Sequence, residues 1–206
     1  MPDWSGFAVV DETFRSHVQQ GQALLTAGDE DAANLLYDSA VEMLTHGYKN
    51  VIQGYCTNKL GHWVSDEDGI KDVTQNTFLG AVQSVKRFDP TRPVRPWLFS
   101  IAHNKCVDEI QRIRRTAATP LTDRVAQPHP PAPVASREED DCLRAARTRL
   151  KEEDRDILDL RYMQDLPTSE IADFFQITEG AVRVRLKRAR DRLKKEMEKG
   201  NEGTST

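Results

Sequence analysis

Residues 166–190 read LPTSEIADFFQITEGAVRVRLKRAR. Leu166-Pro167-Thr168 is a helix start, with Thr168 placed to act as N-cap and the acid Glu170 in the first turn. Ile171, Ala172, Phe174 and Phe175 follow, and Gln176-Ile177-Thr178 is a short turn. Thr178 can cap a long last helix carrying Val182, Leu186, Ala189, Leu193 and Met197, which share one face. A short helix, a three-residue turn and a longer helix make the helix-turn-helix layout. Ala172 is small enough to let the two helices approach, and Ile177 and Val182 pin the turn.

Opposite the apolar stripe stand Arg183, Arg185, Lys187, Arg188, Arg190, Arg192, Lys194 and Lys195. Arginine pairs bidentately with guanine edges in the major groove, and the remaining cations reach phosphates. Glu179-Gly180 brings backbone N–H groups towards a duplex without a bulky side chain. A solvated basic helix with lysines spread over a core is the bland reading of the same residues.

Upstream, residues 116–137, TAATPLTDRVAQPHPPAPVASR, hold five prolines. Proline fixes φ and removes a donor, so this segment is expected to be a tether without a core. It divides the chain into residues 1–30 (an N-terminal extension), 31–115, the linker 116–137, 138–199, and a tail 200–206. The expected fold class is all-α, two small helical domains.

Ala33, Leu36, Tyr37, Ala40, Val41 and Leu44 recur at helical spacing, as do Val73, Thr77, Phe78, Ala81, Val82 and Val85. FDPTRPVRP, residues 88–96, ends that second helix, and Pro96 suits the first turn of the next. This third helix carries Leu98, Ile101, Ala102, Cys106, Val107 and Ile110 and finishes in Arg112, Arg114 and Arg115. Phe14, Val18, Leu24 and Leu25 fit one more helix, against which Gly21 and Gly28 argue. Beyond the tether, Leu143, Ala146 and Leu150 outline one helix, and Ile157, Leu158, Leu160, Tyr162 and Met163 a second.

The net charge of −4 over 206 residues is unevenly spread. Residues 86–115 carry 8 Lys and Arg against 3 acids, and residues 183–206 carry 9 against 4. Each basic block attracts phosphate locally, since the field decays over about one Debye length of 8 to 10 Å. No apolar stretch is long enough to span a membrane, and the acidic N-terminus does not look like a secretory signal, so a cytoplasmic protein is expected. Three scattered cysteines, Cys56, Cys106 and Cys142, make neither a disulfide framework nor a zinc site. No catalytic triad, phosphate-cradling glycine loop or metal cluster is evident, so neither cofactor nor enzymatic activity is expected.

Residues 166–172 and 177–190 resemble region 4 of an extracytoplasmic-function (group IV) sigma factor of the sigma-70 family. Residues 72–79, DVTQNTFL, resemble region 2.2, and residues 97–104, WLFSIAHN, the helix where regions 2.3 and 2.4 meet. The resemblance covers about residues 30–115 and 140–198. It implies a promoter-specificity factor with core RNA polymerase (β′ clamp helices and β flap) and promoter DNA as partners, and an anti-sigma protein as inhibitor. Position by position, it implies polymerase docking by Asp72, Gln75 and Phe78. It implies −10 contacts from Arg92, Arg95 and Asn104, with Phe88 or Trp97 as the surface for a flipped base. Trp97 serves equally well as core. For the −35 element it implies Thr178, Arg183, Arg185, Lys187 and Arg188, with Arg161 as a supporting phosphate contact.

The chain departs from the family pattern in three places. Lys71 and Asn76 stand where the family has acids, which leaves phosphorylation of Thr74 or Thr77 as a means of restoring charge. Phe174-Phe175-Gln176 replaces a Leu-Gly type of turn. Residues 1–30 have no counterpart. The competing function is a polymerase-independent helix-turn-helix regulator with an N-terminal sensing or dimerisation domain. A helical interaction protein that ignores DNA is the third class.

Overall fold

The computed structural model describes residues 6–61, 63–64, 67–118 and 138–202. Eight α-helices and no strands occur among the described residues. The chain divides into two compact units, Asp3–Pro131 and Ala132–Thr206. Residues 119–137, most of the expected tether, and the end of the tail lie outside the described residues, while residues 116–118 continue a helix.

In the N-terminal unit, α1 (Phe7–Ala27) and α2 (Glu30–Leu60) form an antiparallel hairpin. Its register is marked by the Phe7–Tyr48 ring contact at 4.7 Å and by Gly21 beneath the Tyr37 ring. A Cβ at position 21 would sit 2.9 Å from Tyr37 Cε1, so the glycine that weakens the local helix is what lets the two helices touch. Gly28 closes α1 at φ 85°, a left-handed conformation natural to glycine, and Asp29 N–H donates to Leu24 O at 3.0 Å. The Asp29 carboxylate then accepts from Ala32 N at 3.1 Å and caps α2. Within the expected N-terminal extension, Phe7–Ala27 is thus a helix packed on α2.

Next come α3 (Glu67–Ser84), a 3-10 turn at Val85–Arg87, and α4 (Val94–Ala118). The core is built from Tyr48, Ile52, Tyr55 and Leu60 of α2, Val73, Phe78 and Ala81 of α3, and Leu98, Phe99, Ala102 and Cys106 of α4. Tyr55 meets Phe99 edge-on at 5.3 Å. Thr74 and Thr77 are buried, and their hydroxyls donate to the carbonyls of Ile70 and Val73 at 2.8 and 2.9 Å. That burial overturns the phosphorylation reading, since the hydroxyls face the core instead of solvent.

The C-terminal unit contains α5 (Glu138–Arg149), α6 (Glu152–Leu158), α7 (Thr168–Phe175) and α8 (Glu179–Glu202), with α5, α6 and α7 all packed on α8. A π-helical turn at Asp159–Met163 follows α6, where Gln164 N–H reaches back to Asp159 O at 3.0 Å. Its wider winding rotates the following residues out of the 3.6 register. Tyr162 and Met163, two of the apolar residues that outlined this helix in the sequence, lie in the π turn and are each 44% exposed. Leu143 is 37% exposed. Ala146, Leu150, Ile157, Leu160, Leu166, Ile171, Val182, Leu186 and Ala189 form the core, while Leu193 and Met197 are half-buried.

Thr168 is the first residue of α7 and not its cap. Pro167 precedes it in extended conformation, without a side-chain capping bond. Gln176 ends α7 at φ 53°, ψ 44°, and Ile177 N–H closes onto Ala172 O at 3.0 Å. Thr178 Oγ1 accepts from Ala181 N at 3.2 Å and caps α8. No helix among the described residues is long and apolar enough to cross a membrane.

Candidate nucleic-acid and polymerase interfaces

On α8 the buried positions Val182, Leu186 and Ala189 turn Arg183, Arg185, Lys187 and Arg188 outward, all exposed. Arg183 is steadied by Glu179 one turn earlier at 2.8 Å. The Arg185 guanidinium lies 5.9 Å from the centre of the Phe175 ring, and Arg190 approaches the Tyr162 hydroxyl at 3.5 Å. The basic face is thus partly pre-set by the preceding helices. Arg192 does not belong to it: its Nη1 donates to both carboxylate oxygens of the buried Asp154, at 2.8 and 2.6 Å. Arg161 is also committed in part. Its Nη1 donates to Leu166 O at 2.9 Å and lies 3.8 Å from the Asp165 carboxylate, which braces the tight turn before α7.

On α3 the exposed face is Asp72, Gln75, Asn76 and Leu79. Phe78, expected to dock a partner, is 7% exposed and belongs to the core, because the helix turns it towards the residues that α2 and α4 bury. Leu79 and Val82, exposed at 50% and 45%, are the apolar groups this face offers instead. Leu79 was findable from period alone, as positions 72, 75, 76 and 79 share one side of a helix. Lys71, where the family pattern has an acid, pairs with Glu67 at 3.2 Å and Asp68 at 3.4 Å, and those hydrogen bonds raise its pKa.

The third surface is the loop between the 3-10 turn and α4. Asp89 organises it, accepting from Thr91 N at 2.9 Å and Thr91 Oγ1 at 2.7 Å, and these bonds hold its carboxyl below the ordinary carboxylate range. Arg92 is exposed and 3.7 Å from Asp89. Phe88 is 4% exposed, so it cannot offer an open aromatic surface. Its ring packs 4.8 Å from Trp97 and 5.3 Å from Phe14 of α1. Trp97 is half-buried and Asn104 exposed, two turns further along α4. Arg95, also half-buried, acts electrostatically on the Asp11 carboxylate of α1. Sequence reading missed Phe14, Gln22 and Asp11, which border this loop from the far end of the chain.

Two family models match the chain, Sigma-70 region 2 over residues 46–116 and Sigma-70 region 4 over residues 140–193. The RNA polymerase sigma factor YlaC of Bacillus subtilis is 27% identical over 168 residues, spanning 79% of this chain and 95% of the relative. The sigma factor CnrH of Cupriavidus metallidurans is 32% identical over 139 residues, 62% of this chain and 72% of CnrH. The solved structure of CnrH with the cytosolic domain of CnrY superimposes with a TM-score of 0.54 at 22% identity, covering 88% of this chain and 95% of CnrH. That of the sigma factor RpoE with the anti-sigma factor NepR, from Bartonella quintana, gives 0.56 at 19% identity, covering 76% and 96%. Two helical units carrying regions 2 and 4 in this order, with the relatives that share them, place the chain in the sigma-70 family as an extracytoplasmic-function RNA polymerase sigma factor, which directs the initiation of transcription.

Proposed function

We propose a division of labour among the three surfaces. The α3 face (Asp72, Gln75, Asn76 and Leu79) docks on core polymerase. Arg92, Arg95, Trp97 and Asn104 meet the −10 element. Arg183, Arg185, Lys187 and Arg188 read the −35 element, with Thr178 holding the start of their helix. The observation that carries this reading is the arrangement of α8, where three buried residues alternate with four exposed cations on one helix. Two weak readers on one chain raise each other's effective concentration when the intervening segment spans the gap. Residues 119–137, with their five prolines, have a composition suited to that span.

Bond-forming chemistry belongs to the polymerase in this reading, as the sigma family is generally non-enzymatic, and the protein works in the cytoplasm beside it. CnrH and RpoE have been solved with protein partners. An anti-sigma protein covering the exposed apolar and basic faces is the corresponding regulator here. In vitro transcription with core polymerase over a promoter library tests the proposal. Promoter-specific transcripts that require both an upstream and a downstream element support it. Specific DNA binding that persists without any gain in transcription on adding core enzyme defeats it.

A further inference from the structure

Helix α1 lies outside the stretch matched by Sigma-70 region 2, which begins at residue 46. Yet α1 contacts the loop that bears Arg92 and leads into Arg95 at the start of α4. Phe14, fully buried, places its ring 5.3 Å from Phe88 and 5.6 Å from Trp97, so three aromatic rings from three segments share one cluster. Gln22 Nε2 donates to the carbonyl of Phe88 at 2.9 Å, across 66 residues of sequence. That carbonyl begins the loop, where the chain leaves the 3-10 turn in extended conformation.

We propose that α1 is a positioning element for −10 recognition: Phe14 and Gln22 hold the loop of residues 88–93 and the Trp97 ring in the pose that meets the non-template strand. The inference rests on the reading of that loop as the −10 contact. A loop that must order itself on binding loses affinity to that ordering, and a loop held beforehand does not. Phe14 and Phe88 pack against the Trp97 indole, which is only half-buried and keeps the rest of its surface open.

Asp11 adds a charged contact on the same side. Burial pushes its carboxyl up, while the Tyr48 hydroxyl (2.6 Å from Oδ1), Arg95 and Arg15 pull it down. The attraction between the Asp11 carboxyl and Arg95 is a weaker tie between α1 and this region than the Gln22 hydrogen bond. These are positioning residues: in the reading proposed above DNA meets the loop, and α1 acts through it.

The test uses the full chain with core polymerase on a promoter library with a fixed −35 element and a randomised −10 element, read by transcript sequencing. Gln22→Ala and Phe14→Leu are expected to lower output from preferred −10 sequences by about five- to tenfold and to flatten the −10 preference. Asp11→Asn should act in the same direction and more weakly. Polymerase affinity and −35 preference stay within about twofold, as none of the edited residues belongs to either surface. Should Phe14→Leu fail to fold, Gln22→Ala, which removes only a half-buried amide, decides alone. A wild-type −10 preference in Gln22→Ala and Asp11→Asn overturns the inference. So does an equal fall in −10 preference, −35 preference and polymerase binding, which would make α1 a structural support only. Arg92→Ala separates the two layers. If it flattens the −10 preference while the α1 variants do not, only the role of α1 is lost. If Arg92→Ala and the α1 variants all leave it unchanged, the loop is not the −10 reader.

Discussion

Arg192 Nη1 donates to both carboxylate oxygens of Asp154, joining the last helix to α6 across 38 residues of sequence. Asp154 is 8% exposed, whereas the Arg192 side chain is half in solvent. The pair fixes the rotation of α8, and with it the direction in which Arg183, Arg185, Lys187 and Arg188 point. An arginine that looks like part of a DNA-facing row is thereby withdrawn from it.

Replacing Asp154 by alanine leaves Arg192 without this partner and opens the α6–α8 contact. The expected loss is about 1 to 3 kcal/mol, below that of a fully buried pair because the arginine remains hydrated. Urea denaturation of the full chain, followed by helical circular dichroism, measures it. Unchanged stability would reduce the pair to a surface contact.

Gln176 ends α7 in the left-handed region, where a side chain costs roughly 1 kcal/mol or somewhat more. Gln176→Gly should hold stability or raise it by up to about 1 kcal/mol, because the relief of strain competes with the added freedom of the unfolded chain. Gln176→Val should lower it, since a β-branched residue tolerates that conformation least. Parallel thermal melts of both variants check the order.

On α3, neighbouring residues have opposite roles. Phe78→Ala should cost about 3 to 5 kcal/mol through a cavity in the N-terminal unit. Leu79→Ala combined with Gln75→Ala should leave the melting temperature almost unchanged and weaken binding to core polymerase. Pull-down with purified core enzyme beside a melting curve distinguishes the two. Retained polymerase binding in the double variant would remove this face from the docking surface.

Arg183→Ala should weaken binding to a preferred −35 sequence by roughly 1 to 3 kcal/mol and relax preference at one position. Lys187→Ala should weaken all sequences about equally and reduce the salt slope by about one. Fluorescence anisotropy on duplexes at several salt concentrations reads both. A uniform loss in Arg183→Ala would assign that arginine to phosphate.

The helical class, the helix-turn-helix and the α8 stripe were legible because they are local. A 3.6-residue period, a capping threonine at Thr178 and the small Ala172 need no knowledge of the rest of the chain. The candidate site was legible only as far as period alone assigns faces. Period placed Phe78 on the apolar stripe while the resemblance assigned it to docking, and Leu79 on the exposed side was passed over. Phe88 lay in a loop rich in proline and charge, and its burial depends on Phe14 and Trp97, partners distant in sequence.

By itself, then, the order of residues determined most of the helical segments and which cations line α8, since those follow from short-range sterics and period. Tertiary structure alone decided three further matters. It turned Gly21 from a helix weakener into the seat of the Tyr37 ring. It tied Arg192 to Asp154, 38 residues earlier, and so took one arginine out of the exposed row. It brought α1 against a loop more than sixty residues away. Each depends on contacts between groups far apart along the chain, and such contacts leave no periodic trace in the sequence that makes them.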